Sequence, residues 1–418
     1  MAISDDKGDQ PYWNKHRLDP YSSATRMSMI AAPLMIAVAV LLLVAVSICE
    51  VYSATIAAHG YRFMKMQCIW VALGIVVCVV ASALPLDRLF DWSRLWMLLV
   101  SLPLFYLAVA QACVKLHRSW ISFFPFATEI NGAVRWLKFG SVQVQPSEFA
   151  KIALVIFLSA YYGRISRKEI AGFVKGALIP GVMAGGVLAL MFLGRDLSTT
   201  VITGVMVMAI MFMAGMNWKY VCCVVVLAGV CIAAGILFNP ERMSRITSFN
   251  DPENSYQLMR SQVCLATGGL AGSGYGQGYL KSYLPENHTD FIIAVVGEEF
   301  GFLGLLGLGA CYVAICIGIL LIARECRSRS DMLLCLGVAV LIIAQAETNI
   351  GVVTGGCPPT GLTAPFLSYG GSSMVSMFFL VGLVFNVLFR NHLAMSRELA
   401  ERHRIPGSAA TEGATDGK

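Results

Sequence analysis

Charge is what this chain has least of. Only 13% of its 418 residues are Asp, Glu, Lys or Arg, against 57% hydrophobic, whereas a soluble domain carries about 25% charged and about 45–50% apolar residues. That balance excludes an ordinary water-soluble globule. The chain has 13 cysteines but no C-x-x-C pair, and most lie inside apolar stretches, Cys68, Cys78, Cys222 and Cys335 among them. Small apolar filler fits them better than a metal or disulfide framework. Basic residues form no patch interleaved with aromatics, so the net charge of +6 is not a nucleic-acid signature. The run GSGYGQG at 272–278 lacks the spacing of a dinucleotide loop and has no βαβ pattern around it, so a tight turn is expected there rather than a nucleotide. The N-terminus shows no short apolar core with a small-residue cleavage site, and no cleaved signal peptide is expected.

What the chain has instead is apolar length. Ten apolar blocks occur, at 29–50, 66–86, 95–114, 144–162, 172–193, 197–216, 220–238, 291–323, 332–353 and 374–390. Each approaches the roughly 20 residues that cross a bilayer. Backbone groups in lipid must be paired within their own segment, so the blocks are helices. The expectation is an all-α polytopic membrane protein with about ten transmembrane helices. One membrane domain at 28–392 lies between an N-terminal tail, 1–27, and a C-terminal tail, 393–418. Residues 1–25 and 406–418 are polar, which predicts disorder there. An even number of crossings puts both termini on one side. Basic residues in the N-terminal tail, the Arg164/Arg167/Lys168/Lys175 cluster, Arg324/Arg327/Arg329 and the C-terminal tail mark that side as cytoplasmic.

The outward segments then hold the unusual sequence: long loops at 115–143 and 239–290, and a stretch rich in Gly, Pro, Ser and Thr at 354–373. Such backbone is tolerated at membrane depth only when it is buried in protein or lines a wet cavity. LPENHTDF at 284–291 sets titratable side chains directly before an apolar run. Asp290 suits two roles: a cap for the orphan N–H groups of the next helix, or a general base at the lipid–water boundary. Pro146 is a helix-start signal. Glu148 and Lys151 are spaced i,i+3, so they either pair locally or, with Arg135, face a cavity in which Arg135 and Lys151 hold a diphosphate. Arg195-Asp196 is placed for a local pair. Glu298 and Glu299, flanked by glycines at small-residue spacing, suit a buried structural role at least as well as a catalytic one. Ser368 to Ser373 are placed to cap the last helix.

Three segments, GAVRWLKFGSVQVQPSEFAK (132–151), LPENHTDFIIAVVGEEFGFLG (284–304) and NIGVVTGGCPPTGLTAPFLSYGGSS (349–373), resemble the SEDS proteins (shape, elongation, division and sporulation), whose main branches are FtsW and RodA. The resemblance runs over about residues 28–392. It implies a ten-helix membrane fold and a peptidoglycan glycosyltransferase that polymerises lipid II outside the cytoplasmic membrane. The family's essential aspartate falls on Asp290. Its cavity charges fall on Arg135, Glu148 and Lys151, and Asp196 matches the aspartate after the fifth helix. His288 and Ser368 join them as expected substrate-side residues. Gly361-Leu362-Thr363 before Pro365 looks like the FtsW branch, although Thr360 stands where many FtsW proteins carry Lys. Glu347 and Thr348 also replace residues that are usually apolar.

The implied chemistry is an inverting single displacement. Asp290 takes the proton of the acceptor sugar's 4-hydroxyl, and Arg135 and Lys151 offset charge on the departing pyrophosphate. No metal site is expected from protein ligands, and the cofactor is left open, with a divalent cation, Mg or Mn, as the candidate. The resemblance implies lipid II, a class B penicillin-binding protein transpeptidase, other divisome proteins and membrane lipids as partners, at the division septum. Two alternatives use the same residues: a lipid II flippase, which needs charges along the whole crossing path, and a RodA-type elongation enzyme. A scaffold that only recruits division proteins would not need the cavity charges.

Overall fold

The computed structural model describes residues 23–404, apart from 131, 141, 238–242, 244–248 and 250–255. The polar ends expected to be disordered lie outside the described residues except for 23–25, which begin α1, and part of the 239–290 loop lies outside them too. Every one of the ten apolar blocks falls on a helix: α1 (Ser23–His59), α2 (Arg62–Ala83), α4 (Ser93–Leu116), α5 (Pro146–Arg164), α7 (Ile179–Leu193), α8 (Leu197–Met213), α9 (Trp218–Leu237), α11 (Ile292–Arg324), α12 (Arg329–Thr354) and α13 (Gly371–Arg404). Short helices α3 (Leu86–Asp91), α6 (Arg167–Ala171) and α10 (Tyr256–Gly268) are the other α-helices among the described residues.

Seven helices among the described residues are long and apolar enough to cross a membrane by length and composition. α5 and α8 fall short of that measure. α8 is only 17 residues long, and α5 carries Glu148 and Lys151. α5 is instead an inner helix. Its side chains from Ala150 to Ala160 are all buried, and it packs against α4, α8, α12 and α13. Its charges are therefore shielded by protein rather than set against lipid, as intramembrane charges require. The rim is the reverse: α2 and α4 expose Val76, Val79, Leu98 and Leu102, the surface a bilayer covers.

The structure corrects two sequence expectations and refines a third. First, α1 does not stop at residue 50 but runs to His59. Glu50 reads as the end of an apolar block, yet it is fully buried on a helix packed against α11. Second, α13 continues to Arg404, through residues expected as tail, because the run from Leu393 onward is made largely of strong helix formers. Third, the 115–143 loop of this otherwise helical chain carries local structure. It holds a three-stranded antiparallel sheet, β1 (Ala127–Ile130), β2 (Ala133–Phe139) and β3 (Val142–Val144), with Ala127 opposite Leu137 and Leu137 opposite Val144. The signal was present: Asn131-Gly132 between the first two strands is the pair a two-residue hairpin turn prefers.

GSGYGQG also has a structural use. α11 breaks at Gly301, whose φ is +64°, and a Cβ there would lie 2.4 Å from the Gly272 nitrogen. The chain at 269–274 fills the break. Phe302 and Leu303 donate their N–H groups to Gly269 O (2.9 Å) and Leu270 O (3.1 Å), and Ser273 and Gly274 donate to Glu298 O and Glu299 O (3.0 Å each). Orphan backbone groups at the kink are thereby paired, which low-dielectric surroundings demand.

Ion pairs at the opposite end of the bundle are basic-rich and more exposed. Arg164 pairs with Asp91 (2.5 Å), Lys175 with Glu169 (2.5 Å) and Arg390 with Asp87 (2.8 Å). Arg329 reaches Ala214 O. This is the end that the basic residues assign to the cytoplasm.

Candidate active site

Four helices begin at one place. Gln145, the N-cap of α5, donates its N–H to Ser372 Oγ at the start of α13 (3.1 Å). Ser147, on the first turn of α5, donates to Asp196, the N-cap of α8 (2.6 Å). Ser368, just ahead of α13, donates to Thr289 O, just ahead of α11 (2.6 Å). The C-terminal end of α12 completes the group through Asn349. Helix N-termini carry partial positive charge and unpaired N–H groups, so their convergence favours an anion.

Asp290 stands on the turn that enters α11 and is partly exposed. The N-cap position itself belongs to Phe291. The backbone of the turn is fixed from two sides. Asn349 Nδ2 donates to both Asp290 O (3.0 Å) and Leu362 O (2.5 Å), and Tyr369 donates its N–H to His288 O (2.9 Å). Glu286 supports the turn from within: it takes a positive φ of 54°, and its carbonyl accepts from Phe291 N (3.2 Å). Gly361, with φ +66°, comes so close that a Cβ there would be 3.3 Å from Asp290 Oδ2. The 354–373 segment thus walls the carboxylate, and Ser198 Oγ holds that wall to α8 through Thr360 O (2.6 Å).

Glu148 and Lys151 form the buried floor. Lys151 is 1% exposed and pairs with Glu148 at 2.8 Å. It also donates to Gln345 Oε1 (3.1 Å). Gln345 Nε2 in turn donates to Thr363 O (2.8 Å), two residues past Gly361. Glu148 accepts from Ser376 Oγ on α13 (2.8 Å). In this conformation the ammonium of Lys151 is buried and engaged by Glu148 and Gln345.

Arg135 and Asp196 make the adjoining wall. Asp196 is buried and accepts from Ser147 (2.6 Å), Gln145 Nε2 (2.7 Å) and Thr199 Oγ1 (2.8 Å). Arg135 Nη1 stands 3.7 Å from its carboxylate, too long for a strong bond, and Arg135 Nε has no hydrogen-bond partner among the described residues. The guanidinium is thus only partly engaged by the protein, and its side chain is 23% exposed. Arg195 reaches Gly132 O (2.7 Å), which ties the β-hairpin to the head of α8.

The structure therefore sets Glu148 with Lys151, and Arg135 with Asp196, around the helix starts at the site, and ties the Asp290 backbone to the 354–373 wall through Asn349. His288 and Ser368 act as supports. Ser368 Oγ is spent on Thr289 O and on Ala364 N (2.7 Å). His288 packs edge-on against Phe63 (4.7 Å between ring centres) and lies beside Tyr369 (5.6 Å), and burial holds its pKa below the usual 6.5. Sequence reading missed Gln345, Asn349, Gln145 and Ser376. An amide pair at i,i+4 on α12, beside Glu347 and Thr348, was present but did not name its partners. Glu298 and Glu299 are buried and hydrogen-bonded, apart from these groups. Among the described residues, no three or more of His, Cys, Asp and Glu are grouped to hold a metal.

The chain is similar to known proteins over most of its length. The family described as cell cycle protein, FtsW/RodA/SpoVE, matches residues 26–392. A probable peptidoglycan glycosyltransferase FtsW of Coxiella burnetii is 31% identical over 79% of this chain and 87% of its own length. That of Tolumonas auensis is 33% identical over 80% and 85%. Among solved structures, one from work on the structural coordination of polymerization and crosslinking by a peptidoglycan synthase complex superposes with a TM-score of 0.68 at 25% identity, over 85% of this chain and 97% of that one. The rod shape determining protein RodA of Thermus thermophilus gives 0.59 at 26% identity, over 85% and 96%.

Proposed function

The chain belongs to the FtsW/RodA/SpoVE family of cell cycle proteins, and from that premise we propose that it is a peptidoglycan glycosyltransferase polymerising lipid II at the outer face of the cytoplasmic membrane. The observation that carries the reading is a partly exposed Asp290 set among four helix N-termini and an arginine that the protein only partly engages. A carboxylate beside an anion-attracting surface is what a sugar transfer off a pyrophosphate requires.

In the proposed step, Asp290 accepts the proton of the acceptor's 4-hydroxyl as that oxygen attacks the donor's anomeric carbon. The bond from that carbon to the pyrophosphate breaks, and the pyrophosphate leaves with the electron pair. The α linkage becomes β in one displacement, and the proton on Asp290 is then lost to water. Arg135 and the N-termini of α5, α8, α11 and α13 offset the charge that develops on the leaving group. Lys151 acts through the wall: it orients Gln345, which holds the Thr363 carbonyl and so the strand that carries Gly361. General-base help supplies about 10²–10⁴-fold, and positioning and electrostatics supply the rest.

The location of buried charge favours polymerase over flippase. Below Lys151, α5 is lined by buried apolar side chains and Ser159 as far as Tyr162, with no ladder of charges for a headgroup to climb. The curated relatives are FtsW proteins, which supports septal synthesis with a class B penicillin-binding protein and other divisome proteins. The test is reconstitution of the full chain with that transpeptidase and lipid II. Glycan strands on a gel support the reading. Lipid II crossing between leaflets with no glycan formed overturns it.

A further inference from the structure

A second buried polar cluster takes no part in the chemistry above. It lies where α1, α11 and the short turn Leu280–Tyr283 meet. Lys281 comes from a loop, yet its side chain is only 8% exposed, unusual for a residue type that is almost never buried unless paired. Its ammonium donates to Ser53 Oγ on α1 (2.6 Å) and pairs with Glu299 on α11. Ser53 Oγ donates to the same Glu299 oxygen (2.6 Å), and Gly276 N donates to the other (2.8 Å). Glu298 takes both backbone N–H groups of the turn, Leu280 N at 2.7 Å and Lys281 N at 2.8 Å. Glu50, fully buried on α1, is the other charged side chain at this spot.

The cluster continues toward the site. Asn287 Nδ2 donates to Lys281 O (2.8 Å) and reaches Ala54 O on α1 (3.3 Å). Asn287 adjoins His288, whose carbonyl is held by Tyr369. The segment from Lys281 to Asp290 is therefore pinned at both ends, to α1 and α11 at Lys281, and to α12 and the lead of α13 at the other. A loop that ended in a passive surface turn would not need a buried lysine, two buried glutamates and an asparagine bridge.

We propose that Lys281, locked by Glu298, Glu299 and Ser53, is the positioning residue that sets the Asp290 loop at catalytic height between α1 and α13. The proposal rests on Asp290 acting as the base. Releasing the near end leaves the carboxylate present but free to wander, and a misplacement of about 1 Å can cost about 10²-fold in rate. The loss falls mainly on kcat, because Arg135 and the N-termini of α5, α8 and α13 are carried by elements other than this loop.

The test uses the full chain in detergent with lipid II. Lys281→Met removes the ammonium at nearly constant length. Glu298→Gln, which removes one of the two acceptors that clamp the turn's backbone and leaves the Lys281–Glu299 pair intact, serves as the second variant and decides alone where Lys281→Met does not fold. Expected for each is a fall in kcat of about 10- to 100-fold, KM within about twofold, and faster amide exchange at 284–291 with none at 150–160 of α5. Wild-type kcat, a loss expressed in KM alone, or unchanged exchange at 284–291 overturns the proposal. Asp290→Asn is run beside them. If it stays active, the base reading falls, and the exchange measurement still decides whether Lys281 fixes the loop. If it is dead while Lys281→Met and Glu298→Gln are fully active, only the positioning proposal falls.

Discussion

Gly361 faces the Asp290 carboxylate so closely that a Cβ at its position would stand 3.3 Å from Oδ2, and its backbone holds φ at +66°. Both facts demand glycine. Gly361→Ala forces a left-handed residue at a cost of about 1–2 kcal/mol and presses a methyl group on the proposed base. Lipid II polymerisation is expected to fall at least about tenfold, given that a 1.4 kcal/mol change is a factor of ten, while the protein still purifies as a folded monodisperse species. Unchanged activity on a gel of glycan products would show that the 354–373 wall does not set Asp290.

Arg135 is a proposed anion ligand that the protein only partly engages. Arg135→Gln is expected to lower kcat/KM for lipid II by about 10- to 100-fold, the size of a lost charge-assisted hydrogen bond. Arg135→Lys should recover only part of this, because a point charge does not replace a planar fork. Steady-state kinetics with fluorescent lipid II separate the two variants.

The pair Glu148–Lys151 makes a stability prediction. Lys151→Met leaves Glu148 buried without its counter-ion and is expected to destabilise the chain by about 3–5 kcal/mol. Lys151→Met with Glu148→Gln should restore part of that, since the uncompensated charge is gone. Thermal unfolding in detergent reads both. Equal loss in the single and double variants would contradict the coupling.

His288 supplies a pH dependence. Burial holds its folded pKa below 6.5, so the unfolded chain binds the proton more readily. The stability from the neutral ring is complete above about pH 6.5 and is lost as pH falls through the lower folded value. Melting temperature should therefore drop from pH 7 to pH 5 by more in the wild type than in His288→Gln. An equal drop would show that His288 charges freely in the fold.

The membrane helices were legible because a bilayer imposes a length that few other structures share. Glu50 misled the boundary of α1, since a lone glutamate reads as the end of a span until its burial against α11 is seen. The sheet at 127–144 was hidden by its short strands of 3 to 7 residues, although Asn131-Gly132 pointed to it. In the site, Asp290, Arg135 and Glu148 were found by motif. Gln345 and Ser376 were not, because a single polar residue in an apolar helix says nothing about its partner, and their partners lie on other helices. Lys281 was invisible for the same reason. Its neighbours Ser53 and Glu299 are far away in sequence, and loop lysines are usually solvated.

The most direct measurement is glycan synthesis by Asp290→Asn, which keeps the shape of the side chain and removes its basicity. The purified variant, with its transpeptidase partner and lipid II, is expected to bind substrate as the wild type does and to polymerise it at least about 100-fold more slowly, within the range general-base catalysis supplies. Polymerisation at near the wild-type rate would contradict the account.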